Sequence, residues 1–282
     1  MKGQGRTRLI LFVICIAVVA LYLFLAGNGT PATRSRPVNS TLEVYFLNVS
    51  QGDSEFIRDR NYTMLVDCGQ SDEGMRIAAY LAGLDVYSID YLVMTHTDFD
   101  HIGGCAEILQ DFNVRNVIMD GQKRDTAAYR DIMALLANRS VSFPGKYDTL
   151  SLGDAQLRVL HANTGSQDPN QNSIVMLLAF GNFTLLLDAD CDGQCEQDLL
   201  AQNINADVLK VPHHGSMYAS SAEFLRSVGP KLAVIEVGKN DYGHPANETL
   251  ERLRVAGAEI LRTDLNGTII LASNGTGYSI AG

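Results

Sequence analysis

The chain has 282 residues, of which 46% are hydrophobic and 19% are charged, and its formal net charge is −10. This length is enough for one large domain or two small ones, and the composition is that of an ordinary globular protein. The acidic balance, with no basic tract, argues against tight, sequence-independent DNA binding through a positive surface.

The first predicted element is a membrane helix. Residues 9–27 form an uncharged run of 19 residues that follows three cations; such a run can span a bilayer and places the N-terminus in the cytoplasm. We predict a signal anchor over residues 1–27, a polar linker over 28–40 and a folded domain over 41–282. The domain would be held at the membrane outside the cytoplasm, and secretion after signal cleavage is the alternative.

Two residue types bear on the compartment. Nine asparagines begin an N-x-S/T sequon, which suggests a glycoprotein in an N-glycosylating exterior, although those followed by glycine also fit turns. An oxidising exterior would permit a disulfide between Cys191 and Cys195. Cys68 and Cys105 have the character of small buried hydrophobes.

From residue 41 the sequence predicts strands and helices. Apolar–polar alternation interrupted by turns indicates strands, and a serine cap indicates the first helix. In this half the predicted strands lie at 41–49, 55–58, 62–66, 89–94 and 114–119, and the predicted helices at 71–82, 102–110 and 126–138.

The stretch THTDFDHIGG, residues 95–104, follows a predicted buried strand and contains His96, Asp98, Asp100 and His101. Residues two apart on an extended chain share a face, so the first three point roughly to one side. Imidazole and carboxylate groups are metal ligands, and two ions about 3.5–4 Å apart can share such a cluster. The stretch therefore predicts a metal-binding loop, with an ordinary acidic loop as the alternative.

The second half repeats this plan. Its predicted strands lie at 157–161, 174–180, 183–187, 207–211, 231–237, 259–261, 267–271 and 278–280, and its predicted helices follow residue 190 and cover 221–228 and 246–256. Possible ligands again follow strands, at 188–190, 212–214 and 242–244. Because loops on a rigid scaffold commonly carry sites, we expect all these clusters at one edge of a β-sandwich.

Seven motifs in order resemble the metallo-β-lactamase superfamily, and within it the extracytoplasmic hydrolase domain of ComEC-type competence proteins and their stand-alone relatives. They are LNVSQGDS (47–54), LVDCG (65–69), THTDFDHIGG (95–104), LLLDAD (185–190), LKVPHHGS (209–216), YGHP (242–245) and RTDLNGTI (262–269). The resemblance implies an α+β fold, a four-layer αββα sandwich with a two-metal site, preceded here by the predicted transmembrane helix. The transport domain of full competence proteins has no counterpart in this sequence, so no role in DNA uptake is carried over.

The resemblance also implies ligands. His96 and Asp98 would bind one divalent ion, Asp100 and His101 the other, and Asp190 would bridge them. Asp98 occupies the central position of the superfamily signature H-x-H-x-D-H, a variant common in this branch. Zinc is the expected metal, and manganese is the alternative because carboxylates make the site harder.

The remaining ligands are less determined. His213 would complete the second ion, with His214 as the neighbouring choice. The third ligand motif of the superfamily has no clear match: Asn172 fits its position best, and His161 is the other candidate. No protein partner is predicted.

A hydroxide that bridges two divalent ions is a strong nucleophile near neutral pH. Asp100 would orient it, and His244 and Lys210 would stabilise charge or protonate a leaving group. The alternatives are that His244 is only a turn residue and that Lys210 is only a solvated strand residue. Asp188 either supports the site or is a strand-end acid, and Asp53 is expected to be structural.

These features predict a metal-dependent phosphodiesterase or nuclease that acts outside the cytoplasm. Its substrate would be a phosphoester, and single-stranded nucleic acid is one candidate. A metal-dependent hydrolase of esters, lactones or amides is the alternative. A non-catalytic binding domain is the third hypothesis, and loss of ligands would be its sign.

Overall fold

A computed structural model of the chain describes residues 42–162 and 165–281. Its strands, in chain order, are β1 (Leu42–Phe46), β2 (Glu55–Asp59), β3 (Tyr62–Val66), β4 (Ser88–Met94), β5 (Asn113–Met119), β6 (Val141–Ser142), β7 (Thr149–Leu152), β8 (Ala155–His161), β9 (Val175–Phe180), β10 (Phe183–Leu187), β11 (Val208–Lys210), β12 (Leu232–Ile235), β13 (Glu259–Arg262), β14 (Ile269–Ser273) and β15 (Tyr278–Ala281). They form two sheets, in the orders β15-β14-β1-β2-β3-β4-β5-β6 and β13-β12-β11-β10-β9-β8-β7.

Short helices connect the strands. They are α1 (Gly74–Gly83), α2 (Phe99–Ile102), α3 (Cys105–Asp111), α4 (Ala127–Leu136), α5 (Gly193–Leu200), α6 (Ala222–Val228), α7 (Asn247–Val255) and α8 (Thr263–Asn266). Single 3₁₀ turns cover Asn170–Asn172 and Pro212–Gly215.

Three hydrophobic clusters define four layers. One cluster lies between the two sheets and includes Val44 of β1. The next residue, Tyr45, points to the other face of the sheet and belongs to a second cluster, which also contains Ile77 of α1 and Ile108 of α3. A third cluster packs α5, α6 and α7 against the second sheet. Because side chains alternate across a strand, burial of both faces makes all of β1 buried. The predicted α+β fold with two sheets and outer helices is confirmed.

Parallel pairing brings the loops to one edge. In the first sheet β3, β4 and β5 are parallel, with Val66 opposite Val93 and Met94 opposite Met119. In the second sheet β10, β11 and β12 are also parallel, and Lys210 lies opposite Leu187. The loops that leave the carboxyl ends of these strands therefore emerge side by side.

The loop after β4 departs from the prediction. We predicted one helix over 102–110, but two helices form, α2 and α3, separated by Gly103 and Gly104. Neither glycine has a positive φ. Both are needed for close approach, because a Cβ would lie 2.7 Å from the Ser71 nitrogen at Gly103 and 2.8 Å from the Gly74 nitrogen at Gly104.

Two further differences concern cysteines and a hairpin. The disulfide Cys191–Cys195 is present, and Cys68 and Cys105, expected only as buried hydrophobes, are joined in a second one. The predictions omitted β6 and β7. Strand β7 returns into β8 through Gly153, whose φ of +63° is typical of a hairpin turn.

The predicted anchor over residues 1–27 and the linker over 28–40 lie outside the described residues. Within 42–162 and 165–281, no helix has the length and apolar character required to cross a membrane.

Candidate metal centre

Asp190 lies at the centre of a cluster of imidazoles. Its Oδ1 is 3.3 Å from His101 Nε2, and its Oδ2 is 3.9 Å from His96 Nε2 and 3.8 Å from His214 Nε2. Asp190 follows β10 in the second sheet, whereas His96 and His101 follow β4 in the first. The two sheets thus contribute to one site.

Two acids extend this cluster. Asp100 Oδ2 is 3.3 Å from His214 Nε2, and Asp98 Oδ2 is 3.9 Å from His96 Nε2. The Asp98 side chain is 42% exposed, whereas His96 is fully buried. Donor atoms of His96, His101 and Asp190 lie within 4.8 Å of one another, and so do those of Asp100, His101 and His214.

The donor atoms fit a pair of divalent ions. Within the described ranges, Nε2 of His96, His101 and His214 is buried and makes no hydrogen bond of acceptable geometry. Buried polar atoms nearly always have partners, so three converging exceptions require an explanation. Imidazole nitrogens and carboxylate oxygens suit zinc, manganese and iron, and such an ion would satisfy these atoms.

Two of these groups already carry the charge that metal binding requires, whereas two must lose a proton. Burial, and then the charge of His101, lowers the pKa of His96 to about 3, which leaves its imidazole neutral. Against the effect of burial, His101 and His214 hold the pKa of Asp190 well below its ordinary value. His96 is therefore able to donate a lone pair, and Asp190 is ionised. Against the effect of burial, Asp190 raises the pKa of His101 well above its ordinary value and that of His214 to about 10.

Asp67 orients two of the ligands. Its Oδ2 lies 2.8 Å from His101 Nδ1 and accepts a hydrogen bond of 2.6 Å from Thr95 Oγ1. Because that hydroxyl is already donating, His96 Nδ1, 3.1 Å away, donates to it and presents Nε2 to the site. We assigned no role to Asp67 from the sequence, although it directly follows β3, a predicted strand that lies next to β4.

The adjacent histidines of the PHHG turn both approach Asp190. His214 is buried, with Nδ1 2.9 Å from the Glu236 carbonyl oxygen, and its Nε2 lies among Asp100 and Asp190. His213 Nε2 is 3.8 Å from Asp190 Oδ2, and its Nδ1 is 3.0 Å from Asp192 Oδ2. Both have positive φ, of 51° and 52°. The structure thus places His214, rather than His213, beside the Asp100–His101 pair.

Lys210 lies beneath the ligands. Its Nζ is paired with the Asp53 carboxylate and donates to the Ala189 carbonyl oxygen at 2.9 Å, and both charged side chains are fully buried. Although burial opposes it, the Asp53 carboxylate raises the pKa of Lys210 above its ordinary value. Asp53 Oδ1 is also 3.2 Å from His214 Nδ1, so Lys210 meets the ligands through Asp53.

His244 lies at the open side of the cluster. Its ring stacks on Tyr242 at 5.7 Å between centroids and meets His213 edge-on at 5.3 Å. Burial, and then the charges of His213 and His214, lowers the pKa of His244 to about 4. Its imidazole is therefore neutral near pH 7.

Three other candidates do not belong to the groups of donor atoms described above. Asn172 folds its own loop: its Oδ1 accepts from the Ser166 nitrogen at 3.1 Å and its Nδ2 donates to the Asp168 carbonyl oxygen at 2.9 Å. His161 Nδ1 is 3.0 Å from the Ser173 carbonyl oxygen. Asp188 is fully buried, and burial, followed by Glu196, raises its pKa well above the ordinary value.

The sequence matches a known family. Residues 47–238 match the model of the metallo-beta-lactamase superfamily. The chain belongs to this superfamily, and with its His/Asp cluster it is a metal-dependent hydrolase of that fold.

The chain is similar to competence proteins of the ComEC type. It is 31% identical to ComE operon protein 3 of Bacillus subtilis, over 82% of this chain and 33% of that protein. It is 30% identical to competence protein ComA of Neisseria gonorrhoeae, over 88% of this chain and 34% of that protein. The chain thus spans about a third of the length of these relatives. Among solved structures, the metallo-beta-lactamase fold protein YhfI of Bacillus subtilis superposes with a TM-score of 0.60 at 15% identity, covering 83% of this chain and all of that one, which shows the fold.

Proposed function

We propose that this protein is a phosphodiesterase that acts outside the cytoplasm and that single-stranded nucleic acid is the substrate to test first. The observation that carries the proposal is the position of Asp190, which lies between two groups of donors contributed by the loop after β4 and by the PHHG turn. A shared carboxylate between two such groups is typical of two-metal hydrolases.

The ligands divide between the two ions. His96 and Asp98 would hold one, Asp100, His101 and His214 the other, and Asp190 both. When bound, two divalent ions supply Lewis acids that stabilise the charge of a phosphoryl group and lower the pKa of water. Whether the ions are zinc or manganese depends on the carboxylates, which make this donor set harder than an all-histidine one.

The other polar residues act around the ligands. Lys210 positions Asp53, and the Glu236 carbonyl oxygen, with Asp53 beside it, positions His214. His244 faces the substrate side; because its imidazole is neutral at pH 7, it does not protonate a leaving group, and it offers one donor and one acceptor nitrogen to water or substrate. Burial lowers the pKa of His213, but Asp190 and the hydrogen bond to Asp192 outweigh this effect and raise it. His213 therefore keeps the proton on Nδ1 that it donates to Asp192.

Membership of the superfamily does not by itself select a phosphodiester as the substrate, because the same centre could act on carboxylic esters, lactones or amides. The names of the relatives refer to competence, which directs attention to nucleic acid, and the acidic charge disfavours a processive duplex nuclease.

The test is an assay of the purified full chain loaded with zinc or manganese, on bis-p-nitrophenyl phosphate, a single-stranded oligonucleotide and a lactone. Diester hydrolysis that Asp190→Ala and Asp100→Ala abolish would support the proposal. Turnover of the lactone alone would favour the alternative hydrolase, and bound metal without turnover on any substrate would contradict both.

We propose that the domain lies outside the cytoplasm, anchored by residues 1–27. Two observations support this location. Disulfides persist in oxidising compartments, and this domain contains two. In the described part of the chain every sequon asparagine is exposed: Asn48, Asn61, Asn138, Asn182, Asn247, Asn266 and Asn274. Protease added to intact cells should remove the domain, and a mass shift on deglycosylation would identify glycans; protection from protease would contradict the location.

A further inference from the structure

The loop after β5 runs beside the metal loop. Met119, the last residue of β5, pairs in parallel with Met94, the last residue of β4. Residues 121–124 therefore leave the sheet next to Thr97 and Asp98, at the edge where the donor cluster lies.

Arg124 is held in place at this edge. Its Nε donates to Thr97 Oγ1 at 3.1 Å, and its Nη2 reaches the Gln167 carbonyl oxygen at 3.5 Å. Gln122 Nε2 donates to the Ser166 carbonyl oxygen at 2.6 Å, which ties the two loops together. Thr97 directly precedes the predicted ligand Asp98, so the guanidinium is fixed one residue from the metal centre.

A polar cavity lies between the two loops. Its volume is about 330 Å³, and it is lined by 121–124 and 165–167. Arg124 and Lys123 are both part of its wall. A guanidinium whose Nε and Nη2 are anchored presents the remaining N–H groups of Nη1 and Nη2 in a fixed orientation, which suits the oxygens of a phosphate.

The two cations of this wall carry no ion pair with an acid of the described ranges, whereas nearby Arg130 pairs with Asp125. Asp120, the closest acid in sequence before them, is buried and its Oδ1 accepts from the Gln122 nitrogen at 3.1 Å. Neither cation is in contact with a carboxylate of the described residues, although the charge of Arg124 reaches those of Asp98 and Asp120. In a protein with a net charge of −10, Arg124 together with the exposed Lys123 forms a local positive site. An anion is the ligand that such a site favours.

We propose that Arg124 and Lys123 bind a second phosphate of the substrate, next to the phosphodiester at the metal centre. This inference rests on the proposed function and specifies it: the substrate class is a nucleotide chain or another ester with a neighbouring phosphate, rather than an isolated small diester. Arg124 supplies the oriented N–H groups and Lys123 a less directional charge.

Binding and turnover test this subsite separately. The binding probe is thymidine 3′,5′-bisphosphate, titrated by calorimetry into the metal-loaded full chain, with thymidine 5′-monophosphate as the single-phosphate reference. The variants are Arg124→Ala, Arg124→Lys and Lys123→Ala. The control is Arg226→Ala, which removes an exposed cation of α6.

The subsite predicts that Arg124→Ala weakens bisphosphate binding by about tenfold or more, while monophosphate binding stays within about twofold. Arg124→Lys should recover part of the loss and Arg226→Ala should change neither. For turnover, KM for the dinucleotide pTpT should rise with kcat unchanged, whereas KM for TpT should not change.

Two results would overturn the subsite. If Arg124→Ala weakens the binding of both nucleotides equally, Arg124 is a positioning residue for Thr97 and Asp98. If Arg124→Ala leaves the affinity for the bisphosphate unchanged, Arg124 does not bind the second phosphate. If no diester is cleaved, the phosphodiesterase proposal fails, but the calorimetric comparison still decides the subsite.

Discussion

His101 and Asp67 are joined by a 2.8 Å contact between Nδ1 and Oδ2, with both side chains fully buried. Asp67 directly follows β3, and His101 lies in α2, just after the neighbouring parallel strand β4. The contact fixes which ring nitrogen faces Asp190, so Asp67 acts on the metal centre without touching it.

Replacement of Asp67 should therefore weaken metal binding. We expect Asp67→Asn to lower the affinity for zinc or manganese by roughly 10- to 100-fold, because His101 loses its anionic partner. Competition with a chelating indicator measures this affinity. Asp72→Asn, at an exposed acid nearby, should leave it unchanged; equal affinities for Asp67→Asn and the wild type would contradict the role.

The two disulfides should differ in their contribution to stability. Cys68 and Cys105 are 37 residues apart, whereas Cys191 and Cys195 are 4 apart. Constraint of the unfolded chain grows with loop length, which predicts losses in unfolding free energy of roughly 4 kcal/mol for Cys68→Ala/Cys105→Ala and roughly 2 kcal/mol for Cys191→Ala/Cys195→Ala. Urea unfolding measures both, and the reverse order would refute the loop-length argument.

The Lys210–Asp53 pair should be structural. Lys210→Met leaves the Asp53 carboxylate buried without its cation, which should lower the unfolding free energy by about 3–5 kcal/mol. The double variant Lys210→Met/Asp53→Asn should be more stable than Lys210→Met alone, because the uncompensated charge is gone. As a control, Lys231→Met removes a lysine that is 74% exposed from its pair with Asp207, which keeps its hydrogen bonds from Thr184, and should have little effect.

Asp120 should make stability depend on pH. Burial raises its pKa to about 7, against the hydrogen bond from the Gln122 nitrogen. Between about pH 4 and pH 7 the folded state therefore binds a proton that the unfolded state has lost, so the unfolding free energy falls as pH rises through this window.

Asp120→Asn should remove this contribution. Urea unfolding at a series of pH values should show a shallower decline for the variant, by at most about one proton. Asp131→Asn, at an exposed acid of α4, should retain the wild-type slope. A slope unchanged in Asp120→Asn would show that this carboxyl does not titrate in the window.

Much of the fold was predictable because both the strand pattern and the motif order are strong signals. The alternating residues of β1 predicted a strand that the structure contains. The apolar run before His96 placed the first ligands at the end of a strand, where the structure also has them. The hairpin at Gly153 was omitted although its turn residue was visible. The N-terminal anchor remains a prediction.

Other parts of the site depend on contacts that a sequence does not display. Asn172 resembles a ligand by position, but its amide is used to fold its own loop. His213 and His214 are adjacent and share a left-handed backbone, and the sequence does not show that His214 is the one buried against the Glu236 carbonyl oxygen. Asp67 orients His101 through a pairing between strands, which requires the sheet register.

The most direct test of the two-metal centre is the metal-to-protein ratio of the full chain and of Asp190→Ala, measured by elemental analysis after removal of excess metal. Because Asp190 lies between both donor groups, we predict two ions per chain in the wild type and fewer than one in the variant. One ion in the wild type, or two retained by Asp190→Ala, would contradict the account.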